Sequence, residues 1–242
     1  MSQPWYDSAF QSDYLRVYAH RDEAAARDEV DFIMSHTPPK ARARILDIAC
    51  GAGRHLIWLA KQAELAIGLD RSGQLLAAAA QRLPGVSLVR ADMRQLPFEG
   101  EFTCATLLFT SFGYFPTDQE NFSVIAQAQR VLKSDGIFWM DYMNEPQVRR
   151  TLEPFSRKSH GQMVIEQRRR ITEDGRVEKQ ISIQSKNEQR TVNESVKLYS
   201  RLQIEEIFAR CGVSIEGLWG DFQGNPHNDD SPRLILMGRK NG

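Results

Sequence analysis

The sequence predicts an α/β fold built on a doubly wound parallel sheet, with an antiparallel β meander inserted late in the chain, and three observations carry that prediction. First, residues 45–53 read I-L-D-I-A-C-G-A-G, an apolar run suited to a strand covered on both faces, ended by a glycine turn that opens a helix. Second, the apolar runs at 65–69 and 86–91 finish in Asp70 and Asp92, so three successive strands carry polar tips on the sheet edge where open α/β folds bind ligands. Third, between about 160 and 200 the periodicity drops to two, with T-E-D-G-R at 172–176 as a hairpin signal.

Taken in order, residues 1–21 form an aromatic and polar arm ahead of a helix over 22–35, which Pro38 and Pro39 end. Ile45, Leu46 and Ile48 make the first strand, and Leu56, Leu59 and Ala60 share one face of a helix over 54–61. The helix over 72–83 turns Leu76, Ala79, Ala80 and Leu83 inward and stops at Pro84 and Gly85. A strand over 102–109 runs into T-S-F-G-Y-F, and Val124, Ile125, Ala128 and Leu132 line a helix over 118–132 that residues 133–136 close before a strand over 137–143. After the meander come a helix over 201–210, a strand over 213–218, a long polar loop and a last strand over 233–238. The expected division is an N-terminal lid (1–36), a ligand-binding core (37–150), the meander as substrate cover (151–200) and the returning part of the sheet (201–242).

Composition narrows the function. With 31 basic and 31 acidic residues the formal charge is zero, so no global field favours nucleic acid or an anionic membrane surface. The 3 cysteines are far apart and lack histidine neighbours, so neither a metal site nor a disulfide framework is expected. No apolar run is long enough to span a bilayer and the first residues lack a signal-peptide pattern, which makes a cytoplasmic location the expectation.

Asp47 separates two kinds of ligand. A carboxylate at the tip of the first strand would repel a pyrophosphate but attract a cation. Leu56 stands where a dinucleotide fingerprint has its third glycine, which also disfavours a nicotinamide. Asp70 falls at the interval where a strand-end acid takes ribose hydroxyls. Phe109, Phe112, Tyr114 and Phe115 suggest an aromatic wall suited to a small substrate.

With these residues in hand, the chain resembles the class I S-adenosylmethionine-dependent methyltransferases. Asp47, Ala49, Gly51 and Gly53 match D-x-G-x-G-x-G with alanine in place of the first glycine, and A-D-M-R-Q-L-P-F and R-V-L-K-S-D-G are similar to further family motifs. The resemblance implies a Rossmann-like seven-stranded sheet of order 3-2-1-4-5-7-6 with the last strand antiparallel. It also implies S-adenosyl-L-methionine as cofactor, S-adenosyl-L-homocysteine as product, and in-line methyl transfer. On that resemblance Ala49, Gly51 and Gly53 approach the methionine part and Asp47 meets its ammonium. Asp70, with Arg71 beside it, takes the ribose; Asp92 and Met93 take the adenine. Tyr14, Tyr18 and Arg21 close over the cofactor from an N-terminal lid, and Phe109 contributes to its wall. Tyr114 and His227 are the candidate catalytic groups, with His160 and Asp221 as other possible proton acceptors. The plan is most similar to bacterial small-molecule N-methyltransferases, so the expected partner is a small-molecule acceptor, nitrogen before oxygen, on a monomer or homodimer. An RNA methyltransferase and a cofactor-binding regulatory protein without transfer are the alternatives.

Overall fold

A computed structural model describes residues 4–10, 23–160, 163–185 and 188–242. The central sheet contains β1 (Arg44–Ile48), β2 (Leu65–Asp70), β3 (Ser87–Arg90), β4 (Phe102–Leu107), β5 (Leu132–Met143), β10 (Val213–Trp219) and β11 (Arg233–Lys240). Its order is β3-β2-β1-β4-β5-β11-β10. The first five strands are parallel, and β11 runs antiparallel to both β5 and β10. This is the expected topology, and the apolar runs explain it. Ile45, Cys104, Ile137 and Trp139 point to one face and Leu46, Leu107, Phe138 and Met140 to the other, so alternate residues of each strand bury against opposite helical layers.

One layer is α2 (Glu23–His36), whose Val30, Ile33 and Met34 pack on the sheet, flanked by α3 (Leu56–Gln62) and α4 (Gly73–Arg82). The other is α5 (Asp118–Val131) with α7 (Arg201–Arg210), both begun by capping boxes, Thr117 with Glu120 and Ser200 with Gln203. The short helices α1 (Trp5–Ala9) and α6 (Glu145–Thr151) lie outside these layers.

Of the boundaries that differ from expectation, two bear on the turns. The helix after the glycine turn begins at Leu56, because Gly51 (φ 57°) and Gly53 (φ 80°) hold the chain in left-handed turns that no α-helix can include. Residues 133–136 do not merely close α5. They are an excursion within β5, where the register against β4 shifts between Phe102 and Cys104 and Asp135 takes φ 60°.

The meander is a separate sheet of β6 (Phe155–His160), β7 (Met163–Ile171), β8 (Arg176–Ser185) and β9 (Glu188–Lys197), all antiparallel. Its inner face carries Ile165, Ile181, Ile183 and Val192, which pack on Ala9 and Trp5 of α1. Helix α1 therefore sits between the meander and the main sheet.

Ala49 occupies the place of a family glycine at φ 58°. An L-residue pays roughly 1–2 kcal/mol there, part of which glycine returns as unfolded-chain entropy. Ala49→Gly is therefore expected to stabilise the fold by about 0.5–1 kcal/mol, read as a melting point higher by ~1–4 °C. A lower melting point would mean that the methyl group packs better than the backbone strain costs.

Candidate cofactor and acceptor site

Asp70 and Asp92, with the glycine turn after β1, border a cavity of about 670 Å³, within the usual size range for small-ligand sites. Ala49, Gly51, Asp70, Arg71, Asp92, Met93 and Tyr114 line it, seven of the residues singled out in the sequence. Its roof is helix α1 and its end, through Tyr6, Asp7 and Phe10. Tyr14, Tyr18 and Arg21 lie outside the described residues, as does the side chain of His160.

Asp47 lies beneath the turn and is buried (2% exposed). The parallel register sets it beside Thr106, whose hydroxyl donates to Asp47 Oδ1 at 2.8 Å, while Oδ2 has no hydrogen-bond partner among the described residues. Burial pushes its pKa up to about 6, against the charges of His55 and Arg54 and the Thr106 hydrogen bond. An orphaned, buried acidic oxygen suits a cationic group better than any anion.

Asp70 receives Gly51 N–H on Oδ2 at 2.8 Å and Ser72 N–H on Oδ1 at 2.7 Å. Each oxygen keeps a lone pair for a further donor. Burial raises its pKa, and the surrounding backbone N–H groups partly offset that. Asp70 thus also ties the glycine turn to β2. At Asp92 burial opposes ionisation, but hydrogen bonds from Arg94 and the charge of Arg71 outweigh it and hold the carboxyl below the usual range.

Arg71 pairs with Asp92 at 2.7 Å and, on its other side, with Asp7 of α1 at 2.6 and 3.1 Å. Ser72 Oγ donates to the Phe10 carbonyl at 2.6 Å. The roof is thereby pinned to the Asp70–Asp92 side of the cavity. Toward Tyr114, Trp5 Nε1–H donates to the Tyr114 carbonyl at 3.2 Å, and the Trp5 and Phe10 rings lie 5.3 and 5.5 Å from the Tyr114 ring. Within the expected 1–36 segment the sequence singled out Tyr14, Tyr18 and Arg21, not Tyr6, Asp7 or Phe10, for which the aromatic W-Y-D-S-A-F stretch was the signal.

Asp47, beneath the turn, does not itself line the cavity, and neither do Phe109, Gly53 and His227. Phe109 is part of the turn after β4, with its ring under the Arg54 guanidinium at 4.6 Å. Arg54 and His55 in turn share Glu29 Oε2 at 2.9 and 2.6 Å. His227 Nε2 meets Asn144 Oδ1 at 3.1 Å, and Asn144 Nδ2 donates to the carbonyls of Asn228, Asp229 and Ser231. Asn144 Oδ1 must therefore accept, which assigns the proton to His227 Nε2 and leaves the buried Nδ1 bare. Burial lowers the pKa of His227, so the ring is neutral at pH 7.

Asp141 and Arg176, which the sequence did not single out, organise the segment from Phe109 to Phe115. Asp141, 3% exposed, accepts Phe109 N–H at 2.9 Å and Arg233 Nε at 2.7 Å, and Arg233 also donates to Thr110 Oγ1 at 2.8 Å. Together they hold Phe109 (φ 57°) and Thr110 (φ 63°), two successive non-glycine residues in the left-handed region. Arg233 is a strut of the turn. Arg176 of β8 holds the adjoining segment, 113–115, by its carbonyls.

Among the described residues no group of three or more His, Cys, Asp or Glu could hold a metal ion, and no helix is long and apolar enough to cross a membrane.

Comparison with known proteins agrees with this geometry. Residues 45–136 match the model of a methyltransferase domain. A dTDP-3-amino-3,4,6-trideoxy-alpha-D-glucopyranose N,N-dimethyltransferase of Streptomyces venezuelae is 33% identical over 132 residues, which cover 54% of this chain and 55% of that protein. The matched stretch thus spans about half of that relative's length. A dTDP-3-amino-3,6-dideoxy-alpha-D-glucopyranose N,N-dimethyltransferase of Streptomyces fradiae is 27% identical over 219 residues, 85% of this chain and 81% of the relative. Among solved structures, an S-adenosylmethionine-dependent methyltransferase of Clostridium acetobutylicum has the same fold at 16% identity and TM-score 0.85, covering 95% of this chain and 98% of that one. Residues 45–136 are thus similar to a methyltransferase domain, and the sheet order and overall fold are those of solved S-adenosylmethionine-dependent methyltransferases. An amino pentose methyltransferase of Micromonospora echinaspora, solved with S-adenosylmethionine bound, has TM-score 0.70 at 22% identity, covering 99% of this chain and 98% of that one.

Proposed function

We propose that the chain transfers the methyl group of S-adenosylmethionine to an amine of a small molecule, with an amino sugar as the leading acceptor class. The observation that carries the cofactor half is Asp47, a buried carboxylate beneath the glycine turn with one oxygen that has no hydrogen-bond partner among the described residues. It would offer the α-ammonium a partner, with Asp70 toward the ribose and Asp92 and Met93 toward the adenine. Bound there, the cofactor supplies an electrophilic methyl group on a positive sulfur.

The chain's own residues then have to hold, orient and dehydrate. Tyr6, Phe10 and Tyr114 enclose the cavity with aromatic surface, and alignment of donor and acceptor in a dry site contributes roughly 7–11 kcal/mol at best. Tyr114, on the cavity wall, is favoured for contact with the acceptor. His227, neutral and with Nδ1 unprotonated, would take a proton only from an acceptor that extends to the 219–232 loop. The amino-sugar class is supported by the two dimethyltransferase relatives, and by the absence of an N-P-P-Y sequence after β4, where T-S-F-G-Y-F stands.

The direct test is incubation with S-adenosylmethionine and a dTDP-linked 3-amino sugar, with the 3-hydroxy analogue in parallel. Mass spectrometry should find one or two methyl groups on the amine and none on the hydroxyl. Methylation of the hydroxyl compound alone would overturn the amine preference.

Asp47 adds a pH signature with two opposite signs. Its folded pKa, about 6, lies above the usual 3.8, so its contribution to stability is complete below pH ~4 and is lost as pH rises through ~6. Cofactor affinity runs the other way, since the ammonium requires the ionised form. Near pH 5 about one tenth of the molecules are ionised there, and affinity should fall ~10-fold from its value at pH 7.5. Calorimetry on wild type and Asp47→Asn checks this, because the variant should bind weakly with no such pH dependence.

A further inference from the structure

We propose that Arg176 is a positioning residue for the cofactor cavity, acting through the 113–115 segment although it belongs to the meander. Its guanidinium donates to three consecutive carbonyls, Gly113 and Phe115 at 3.1 Å each and Tyr114 at 3.4 Å. The same guanidinium is anchored on β9, with Nε to Ser195 Oγ at 2.8 Å and Nη2, whose two N–H groups are shared among three carbonyls, to the Ser195 carbonyl at 2.9 Å. One planar fork thus joins the meander to the loop whose Tyr114 and Phe115 line the cavity.

The surroundings leave that loop little alternative seating. Lys197 N–H donates to the Gly113 carbonyl at 2.8 Å. Gly113 lies at φ 86°, and a Cβ there would stand 2.7 Å from the Lys197 carbonyl oxygen, so only glycine lets the loop press this closely on the end of β9. The Tyr114 carbonyl also accepts Trp5 Nε1–H of the roof helix. Meander, acceptor-side loop and cavity roof therefore meet at one carbonyl, and Arg176 holds its neighbours on both sides. Three carbonyls in a row need a donor array of fixed shape. A lysine, with one flexible ammonium, can satisfy only part of it.

The inference rests on the assignment of this cavity to the cofactor, and the experiment separates the two. S-adenosylhomocysteine affinity is measured by calorimetry for wild type, Arg176→Gln, Arg176→Lys, Tyr114→Ala and the Arg176→Gln/Tyr114→Ala double variant, with hydrogen exchange followed across the chain. Arg176→Gln should weaken binding ~10-fold and Arg176→Lys by less. The double variant should bind within ~2-fold of the weaker single one, as residues acting in series do. Exchange should quicken at 113–117 and not in the central strands. If the two losses multiply, if Arg176→Gln binds like wild type, or if exchange rises throughout the molecule, Arg176 has only a general structural role. If wild type itself does not bind S-adenosylhomocysteine, the cavity assignment falls and this inference with it.

Discussion

Asp70→Ala should lose at least ~1.5 kcal/mol of S-adenosylmethionine affinity, roughly tenfold or more, because two hydrogen bonds from the ribose to a charged acceptor would disappear. The fold should suffer much less. The carboxylate's bonds to Gly51 and Ser72 N–H are lost, but the cost of keeping that charge out of water, visible in its raised pKa, is removed as well. Both N–H groups border the cavity, where water can replace the carboxylate. Calorimetry combined with a thermal melt distinguishes the outcomes. Unchanged affinity would show that Asp70 serves the glycine turn alone, and parallel collapse of affinity and melting point would make its role structural.

Asp141→Ala should produce the largest loss of stability, about 3 kcal/mol, the lower end for breaking a buried ion pair because Arg233 keeps 26% of its side chain exposed. Besides Arg233, the substitution strands the Phe109 N–H and releases two left-handed residues that each cost ~1–3 kcal/mol to hold. For a chain of this size the melting point should fall by ~6–12 °C. The neighbouring Ser111 lines the cavity, so cofactor affinity should drop too. Removing both partners in Asp141→Ala/Arg233→Ala should destabilise by less than the sum of the single changes. A single variant within ~1 kcal/mol of wild type would show that the pair is not what fixes the turn.

Much of the sheet is legible in the chain because its strands are buried on both faces and read as short apolar runs, each ended by a local signal. Asp47, Asp70 and Asp92 are visible for the same reason: a polar residue at the end of an apolar run stands out. The T-E-D-G-R hairpin is visible too, but the role of its arginine is not. The side chain of Arg176 meets carbonyls about sixty residues earlier in the sequence. Helix α1 is equally obscure, for five residues cannot form a stable helix alone. It exists here through Trp5 on Tyr114 and Asp7 on Arg71, contacts 109 and 64 residues apart in sequence.

By itself, then, the sequence determined the layering of the sheet, the order of its elements and the acidic strand tips, all of which follow from periodicity and turn chemistry acting over a few residues. Only the tertiary structure decided which groups at those tips are already engaged. Asp92 is claimed by Arg71 and Arg94, Arg233 by Asp141, and His227 by Asn144, whereas Asp47 keeps one oxygen without a hydrogen-bond partner among the described residues. The physical reason is that a side chain's hydrogen-bonding capacity is a local property, but its satisfaction depends on neighbours that folding brings in from distant parts of the chain.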